Sequence, residues 1–254
     1  MWLCSPTKLW QLENGLQAGS LWTQVACALA VAERSLQFEH RDLHTGNVLV
    51  AEEDITIHYC LDGVDISVPS CGVRASIIDF TMARLTRAGF TFFLDVSSDE
   101  ALFTGKGDYQ FDIYRKMRKH NGWGNTSWSH CCCLSQVHCH GGTASSSRPG
   151  YCPRSLFALT DGLVISSRSA PLPDQISSIN EVKCEAKMFA YRNSWEHFAP
   201  YTNVLWLHYL AYQLLYKIDF RHKKASHFTQ LKSWYRKVLK FQSAEEFVLE
   251  HYVH

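Results

Sequence analysis

The chain has 254 residues, of which 46% are hydrophobic and 13% aromatic, so it can bury the core of a globular domain. A formal net charge of +1 argues against broad electrostatic attraction to polyanions, so we predict neither direct nucleic-acid binding nor a membrane partner. The first residues, "MWLCSPTKLWQLENG", lack the basic-then-apolar order of a signal peptide, and no apolar run is long enough to span a bilayer. We therefore expect an intracellular protein with mostly reduced cysteines.

The first half of the chain combines one long helix with short strands. Apolar residues recur every three or four positions from Leu21 to Leu36, which predicts a helix with Ser20 as its N-cap. A strand is expected at 48–50. The sequence "TIHYCLDGVDISV" predicts a β-hairpin, because Asp62-Gly63 is a two-residue turn signal between alternating apolar residues.

A buried strand and a further helix follow. The strand is predicted from Ala75 to Ile78 and ends at Asp79. The segment "GDYQFDIYRKMRK" has a helical pattern, with acids at its start and bases at its end, as the helix dipole favours. Residues 121–194 are rich in Cys, Ser and Gly without a sustained period, so we predict a disordered insertion there.

The last sixty residues are predicted to be helical. Apolar residues at helical spacing from Val204 to Ile218 indicate one helix, and those from Phe228 to Leu239 indicate another. A last helix is expected to begin at Ser243, because Glu246 lies at capping-box spacing from it.

Two polar motifs lie at strand ends. "EHRDLHTGNVLV" places Asp42, His44 and Asn47 in one short loop before a strand, and "SIIDFTMARL" supplies Asp79 after another. Phosphoryl transfer needs a base near the acceptor hydroxyl and oxygen ligands for magnesium on the nucleotide phosphates. We therefore predict a metal–phosphate site in which Asp42 faces the acceptor, Asn47 and Asp79 hold Mg2+, and His44 contacts the phosphate or the substrate.

These motifs carry a family resemblance. His40-Arg41-Asp42 with Asn47 resembles the protein-kinase catalytic loop, and Asp79-Phe80-Thr81 resembles the Asp-Phe-Gly metal motif. His44 stands where serine/threonine kinases usually carry lysine, Thr81 replaces glycine, and no Ala-Pro-Glu triplet follows. With these departures, and with the segments "DVSSDEALFTGKGDYQFDIYR" and "PYTNVLWLHYL", the chain resembles the haspin family of atypical kinases.

The resemblance implies an α+β, mainly helical fold of the protein-kinase C-terminal lobe, formed by residues 20–120 and 195–254. We expect residues 1–19 to form a tail that does not conform to the family. The N-lobe is not recognisable, because no glycine-rich loop, strand lysine or helix glutamate precedes Leu21. We therefore expect that the gene model truncates the protein. The chain alone should then be weakly active or inactive.

The resemblance also assigns roles to individual residues. They are Asp42 and His44 in catalysis, Asn47 and Asp79 for ATP and Mg2+, His44 and Asp108 for the substrate, and His40, Arg41 and Asp112 as supports of the catalytic loop. The implied partner is a protein serine or threonine, the histone H-three tail in mitotic chromatin, and the implied location is the nucleus and its chromosomes. Lys106 stands where haspins carry an acid, which bears on substrate choice.

The insertion at 121–194 has alternative interpretations. The echo of "NGW" at Asn121 by "NSW" at Asn193 suggests added sequence, such as a translated retained intron. Zinc is a second hypothesis, although the spacing fits no regular zinc motif. Its ligands would come from His130, Cys131, Cys133, His138, Cys139 and His140.

Two other functions stay open. Small-molecule phosphotransferases of the aminoglycoside and choline type share a histidine-aspartate-leucine-histidine loop, a downstream asparagine and an "IDF" segment. A kinase remnant could instead be a non-catalytic binding module. Magnesium-nucleotide binding and a substrate screen distinguish these alternatives.

Overall fold

The computed structural model describes residues 12–122 and 195–252. Within them the fold is α+β and mainly helical, with short antiparallel sheets, as expected. The assignment to a kinase C-terminal lobe stays a prediction. The elements in chain order are α1 (Gly15–Leu36), β1 (Val48–Glu52), β2 (Thr56–Leu61), β3 (Val64–Pro69), β4 (Val73–Ile77), β5 (Leu85–Arg87), β6 (Phe90–Phe92), α2 (Glu100–Thr104), α3 (Gln110–Gly122), α4 (Tyr201–Tyr216), α5 (Thr229–Lys237) and α6 (Ala244–Tyr252).

The strands form three antiparallel pairs, β1 with β4, β2 with β3, and β5 with β6. The β1–β4 pair aligns Val48 with Ile77, so the end of the first polar loop lies beside the start of the second. The predicted hairpin is confirmed. Its turn residues, Asp62 and Gly63, have φ values of 53° and 82°, which suit the two-residue turns that join strongly twisted strands.

Helix α1 begins earlier than the sequence pattern predicted, and the assignment of Ser20 as its N-cap was wrong. The cap is Asn14, whose side-chain oxygen accepts hydrogen bonds from the backbone N–H groups of Leu16 and Gln17. Ser20 is buried within the helix, where its hydroxyl donates to the Pro69 carbonyl at 2.6 Å. The helix therefore includes residues 15–19, and Ser20 connects it to the β2–β3 hairpin.

The core is built around α1, which packs against β4, α4 and α6. Trp22 is fully buried, stacks on Trp234 at a centroid distance of 4.9 Å and meets the edge of Phe247. Its indole N–H donates to the Leu207 carbonyl at 2.8 Å, so this large side chain has its polar atom satisfied. This packing fixes α4 against the first half of α1.

The predicted helices of the second half are confirmed, and α4 begins directly after Pro200. At α6 the Ser243 hydroxyl accepts from the Glu246 N–H at 2.9 Å. The Glu246 carboxylate accepts in turn from the Gln242 N–H at 2.5 Å, so the predicted capping residues do cap this helix.

Most of the Cys/Ser/Gly-rich insertion, with the six Cys and His residues of the zinc hypothesis, lies outside the described residues. Among the helices of the described ranges, none has the length and apolar character needed to cross a membrane.

Candidate active site

The polar loop that follows α1 is held at its start by a side chain from α4. Asn203 is fully buried, and its oxygen accepts from the His40 backbone N–H at 3.0 Å. Its amide nitrogen donates to the Phe38 carbonyl and to the Glu33 carboxyl group, each at 2.8 Å. One amide thus joins the end of α1, the loop and α4.

His40 connects the two polar motifs. Its Nε2 lies 3.0 Å from the Ile78 carbonyl, and its Nδ1 lies 3.3 Å from the Asp42 N–H. Burial lowers the pKa of His40 to about 4, so the ring is neutral at pH 7. With Nε2 donating and Nδ1 accepting, both contacts are satisfied by one tautomer. The Ile78 N–H also donates to the Asn47 carbonyl at 3.0 Å, which places Asp79 beside the loop.

Asp42 lies at the centre of this site, with 14% of its side chain exposed. The Tyr114 hydroxyl, from α3, makes a short hydrogen bond to its Oδ1, and the Asn47 amide nitrogen lies 3.4 Å from its Oδ2. Burial raises the pKa of Asp42 above its ordinary value, while the hydrogen bond from Tyr114 opposes that rise. The carboxylate is therefore fixed in orientation and more basic than a solvated aspartate.

His44 and Asn47 flank that carboxylate. The His44 Nε2 lies 3.9 Å from the Asp42 Oδ2, its Nδ1 accepts from the Gly46 N–H, and 31% of its side chain is exposed. Asn47 is buried, and its amide nitrogen also donates to the Asp42 carbonyl at 2.8 Å. Because the nitrogen makes these contacts, the amide oxygen is the atom that Asn47 can offer to a cation.

Asp79 is exposed and adopts φ of 58°, a left-handed conformation that is uncommon for a residue other than glycine. Its Oδ1 accepts from the Thr81 hydroxyl at 2.7 Å and the Thr81 N–H at 3.3 Å, and these bonds lower the pKa of Asp79. The carboxylate is therefore ionised at pH 7. Phe80, which directly follows Asp79, packs on the rings of His40 and Phe38. These contacts anchor the chain just after Asp79.

The donor set fits magnesium. A carboxylate from Asp79 and an amide oxygen from Asn47 are hard ligands, and Mg2+ in kinases usually takes few protein ligands beside phosphate oxygens and water. The part of the chain that the structure describes has no group of three or more His, Cys, Asp and Glu side chains arranged as a metal site.

Arg41 supports the loop through a buried ion pair with Glu39. Its guanidinium makes two hydrogen bonds to the Glu39 carboxylate, at 3.1 and 3.0 Å, and both side chains are almost fully buried. Glu39 also accepts from the Ala199 N–H and the Thr202 hydroxyl near the start of α4. Removing one partner of such a pair leaves a buried charge uncompensated, so the two residues act together.

The structure brings Asp108 near the loop but not Asp112. Asp108 accepts from the Gln110 N–H at 2.8 Å and from the Tyr209 hydroxyl at 3.4 Å. Asp112 is half exposed and pairs with Arg115 at 2.5 Å. Residues two apart on a helix differ by about 200° in direction, so Asp112 faces away from the side on which Tyr114 contacts Asp42. The contact that braces the loop from α3 is made by Tyr114, and the support expected of Asp112 stays a prediction.

Sequence reasoning missed Tyr114, Glu39 and Asn203 as parts of this site. The helical pattern of "GDYQFDIYRKMRK" gives Tyr114 no role beyond helix packing. Asn203 lies in a helix with apolar periodicity, and Glu39 stands at the edge of the loop motif without a role that its spacing would indicate. The available signal for Asn203 was its position: it is a polar residue on the otherwise apolar face of a predicted helix.

Comparison with known proteins decides the family. The profile of the haspin like kinase domain matches residues 5–140 and 180–248, which is most of the chain. The chain belongs to the haspin-like kinase family. It is 32% identical over 247 residues to serine/threonine-protein kinase haspin of Mus musculus, covering 95% of this chain and 24% of that protein.

Other haspins agree with this result. The Bos taurus haspin is 32% identical over 250 residues, which cover 95% of this chain and 23% of that protein. The haspin homolog of Arabidopsis thaliana is 45% identical over 109 residues, which cover 42% of this chain and 18% of that protein. The chain thus spans about a quarter or less of the length of these curated relatives. The resemblance inferred from the motifs is confirmed at the level of the family.

Proposed function

We propose that this haspin-like chain provides the catalytic base and the magnesium ligands for transfer of the ATP γ-phosphate to a protein serine or threonine hydroxyl. The observation that carries the proposal is the fixed Asp42 carboxylate, held by Tyr114 and Asn47 beside the strand end that carries Asp79. The relatives named above are serine/threonine-protein kinases, which supports this class of reaction.

In this mechanism Asp42 accepts the proton of the acceptor hydroxyl, whose oxygen forms the new bond to phosphorus while ADP leaves. A carboxylate whose pKa is raised by burial is a better base than a solvated one, and the hydrogen bond from Tyr114 keeps it ionised and oriented. Asn47 and Asp79 would hold Mg2+, which neutralises charge on the phosphates. His44, partly exposed beside Asp42, would contact the substrate near the transferred group.

The substrate and location follow the family resemblance. We propose a protein substrate, a histone tail in chromatin, and hence a nuclear or chromosomal location. No nucleic acid or membrane is proposed as a direct partner, since the net charge is close to zero. Transfer by these 254 residues alone is expected to be slow or absent. The described ranges contain no glycine-rich loop with a lysine–glutamate pair, which grips the ATP phosphates in complete kinases.

The test is transfer of labelled phosphate from ATP to a serine and threonine peptide panel, by the chain alone and by a fusion that supplies a kinase N-lobe. The fusion should transfer phosphate in a magnesium-dependent manner, and Asp42→Asn should lower the rate by about two orders of magnitude or more. A matched control is Asp54→Asn, which makes the same change at an exposed residue of the β1–β2 loop. An Asp42→Asn fusion as active as wild type would refute the assignment of the base.

The alternatives are separated in the same experiment. Phosphorylation of amino alcohols or aminoglycosides instead of peptides would indicate a small-molecule phosphotransferase. A fusion that folds but binds no magnesium nucleotide would indicate a non-catalytic binding module.

A further inference from the structure

The orientation of the Asp79 carboxylate depends on Thr81. The Asp79 Oδ1 accepts from the Thr81 hydroxyl at 2.7 Å and from the Thr81 backbone N–H at 3.3 Å. Within residues 12–122 and 195–252, Asp79 forms no ion pair with a lysine, an arginine or a histidine. The side chain is also exposed, so packing does not hold it and water competes for both of its oxygens.

The main chain on both sides of Asp79 is fixed by contacts that do not involve the Thr81 side chain. The Ile78 carbonyl lies 3.0 Å from the His40 Nε2, and the Phe80 ring packs on the His40 ring at a centroid distance of 5.5 Å. A change confined to the Thr81 hydroxyl should therefore leave the main chain in place. What it would release is the χ1 angle of Asp79, for which a side chain has three staggered wells.

Threonine at position 81 provides what the glycine of the Asp-Phe-Gly motif lacks. Glycine is free in φ and has no side chain, whereas threonine is β-branched, restricted in χ1 and able to donate through its hydroxyl. Both bonds from Thr81 end on the Asp79 Oδ1. In the part of the chain that the structure describes, Oδ2 is therefore the oxygen that Asp79 can offer to a cation.

We propose that Thr81 is a positioning residue that holds the Asp79 carboxylate, before nucleotide binds, in the orientation that receives the nucleotide-bound metal. The inference rests on the proposed function, because that function makes Asp79 a magnesium ligand. Thr81 acts through Asp79 and is not itself a metal ligand. A ligand that is already oriented binds more tightly, since no rotamer has to be selected when the metal arrives.

The first test measures the χ1 rotamer of Asp79 in the full 254-residue chain without nucleotide, from three-bond NMR couplings. Wild type should populate one rotamer. Thr81→Val has a similar shape but no hydroxyl, so Asp79 should average over the three wells, and Thr81→Ser should restore the single rotamer. Thr86→Val is the matched control, because the Thr86 hydroxyl is also hydrogen-bonded, 3.2 Å from the Thr91 hydroxyl, but not to Asp79. It should leave the Asp79 rotamer unchanged.

The second test measures the Kd of Mn2+·ATP for the same proteins by water proton relaxation. Equal occupation of three wells leaves about one third of the molecules competent, so Thr81→Val should raise the Kd about threefold. Thr81→Ser and Thr86→Val should bind as wild type does. The four proteins should unfold at similar urea concentrations, since the Thr81 side chain is exposed.

Three results would overturn the proposal. They are an Asp79 rotamer that is already averaged in wild type or stays single in Thr81→Val, an unchanged Kd in Thr81→Val despite a lost rotamer, and a urea midpoint of Thr81→Val well below that of Thr86→Val. The last result would mean that the hydroxyl supports the fold instead. If wild type binds no Mn2+·ATP, the proposed function fails, while the rotamers of the nucleotide-free chain still decide whether Thr81 positions Asp79. The two failures are thus distinguishable.

Discussion

Replacing Asn203 by alanine should destabilise the protein far more than its small change in volume suggests. The side chain is fully buried and satisfies three partners, the His40 N–H, the Phe38 carbonyl and the Glu33 carboxyl group. The last two contacts are 2.8 Å long and the first is 3.0 Å, so all three are well-formed hydrogen bonds.

The cost follows from what the substitution leaves behind. Alanine removes two hydrogen bonds to neutral backbone groups, worth about 1 kcal/mol each, and one to a buried carboxyl group, worth about 1 to 3 kcal/mol. Water does not reach the vacated groups readily, because Asn203 has no exposed surface. We therefore expect the free energy of unfolding to fall by about 3 to 5 kcal/mol.

Urea unfolding monitored by tryptophan fluorescence measures this change. Asn14→Ala is the matched control, because it deletes the same amide at the partly exposed N-cap of α1, where the expected loss is about 1 kcal/mol. If Asn203→Ala costs no more than Asn14→Ala, then Asn203 does not hold the catalytic loop to α1 and α4 in the way described.

Four further substitutions test three separate parts of the structure. Tyr114→Phe removes the hydrogen bond that lowers the Asp42 pKa, so the acid limb of the pH–rate profile of the N-lobe fusion should move to higher pH, and an unmoved limb would contradict this. Burial raises the pKa of Glu33 from 4.5 to about 8. Between these pH values the folded protein keeps a proton on Glu33 that the unfolded chain has lost. Wild type should therefore lose unfolding free energy relative to Glu33→Gln as pH rises from 4.5 to 8 in urea titrations, whereas a constant difference would exclude this titration. A Cβ at Gly105 would lie 2.2 Å from an aromatic ring and one at Gly19 would contact nothing within 4 Å. Calorimetry should show Gly105→Ala destabilised by about 1 to 3 kcal/mol and Gly19→Ala stabilised by up to about 1 kcal/mol. Equal changes in the unfolding free energy of the two variants would contradict the close packing at Gly105.

Elements with local signals were predictable from the sequence. The Asp62-Gly63 turn, the amphipathic α3 and the capping residues of α6 each depend on residues within a few positions of one another. The proximity of Asp42, Asn47 and Asp79 was predictable for the same reason, since their spacing is contained in two short segments, whereas their roles stay predictions. The start of α1 was missed because its cap, Asn14, lies before the clear apolar repeat.

The supporting residues depend on contacts that are distant along the chain. Tyr114 meets Asp42 across 72 positions, and Asn203 meets His40 across 163. Neither contact leaves a trace in local periodicity, because each is created by the packing of α3 and α4 against the core. The orientation of α3 likewise decided that Tyr114, rather than Asp112, contacts the loop.

The measurement that tests the central claim most directly is NMR line broadening by Mn2+·ATP, which reports nucleotide-bound metal even when binding is weak. With the side-chain amide of Asn47 and the backbone of Asp79 assigned, these signals should broaden first on addition of Mn2+·ATP. The broadening should be reversed by excess Mg2+·ATP and be lost in Asp79→Asn. Broadening confined to other parts of the molecule, or none at millimolar nucleotide, would contradict the assignment of this loop as a magnesium-nucleotide site.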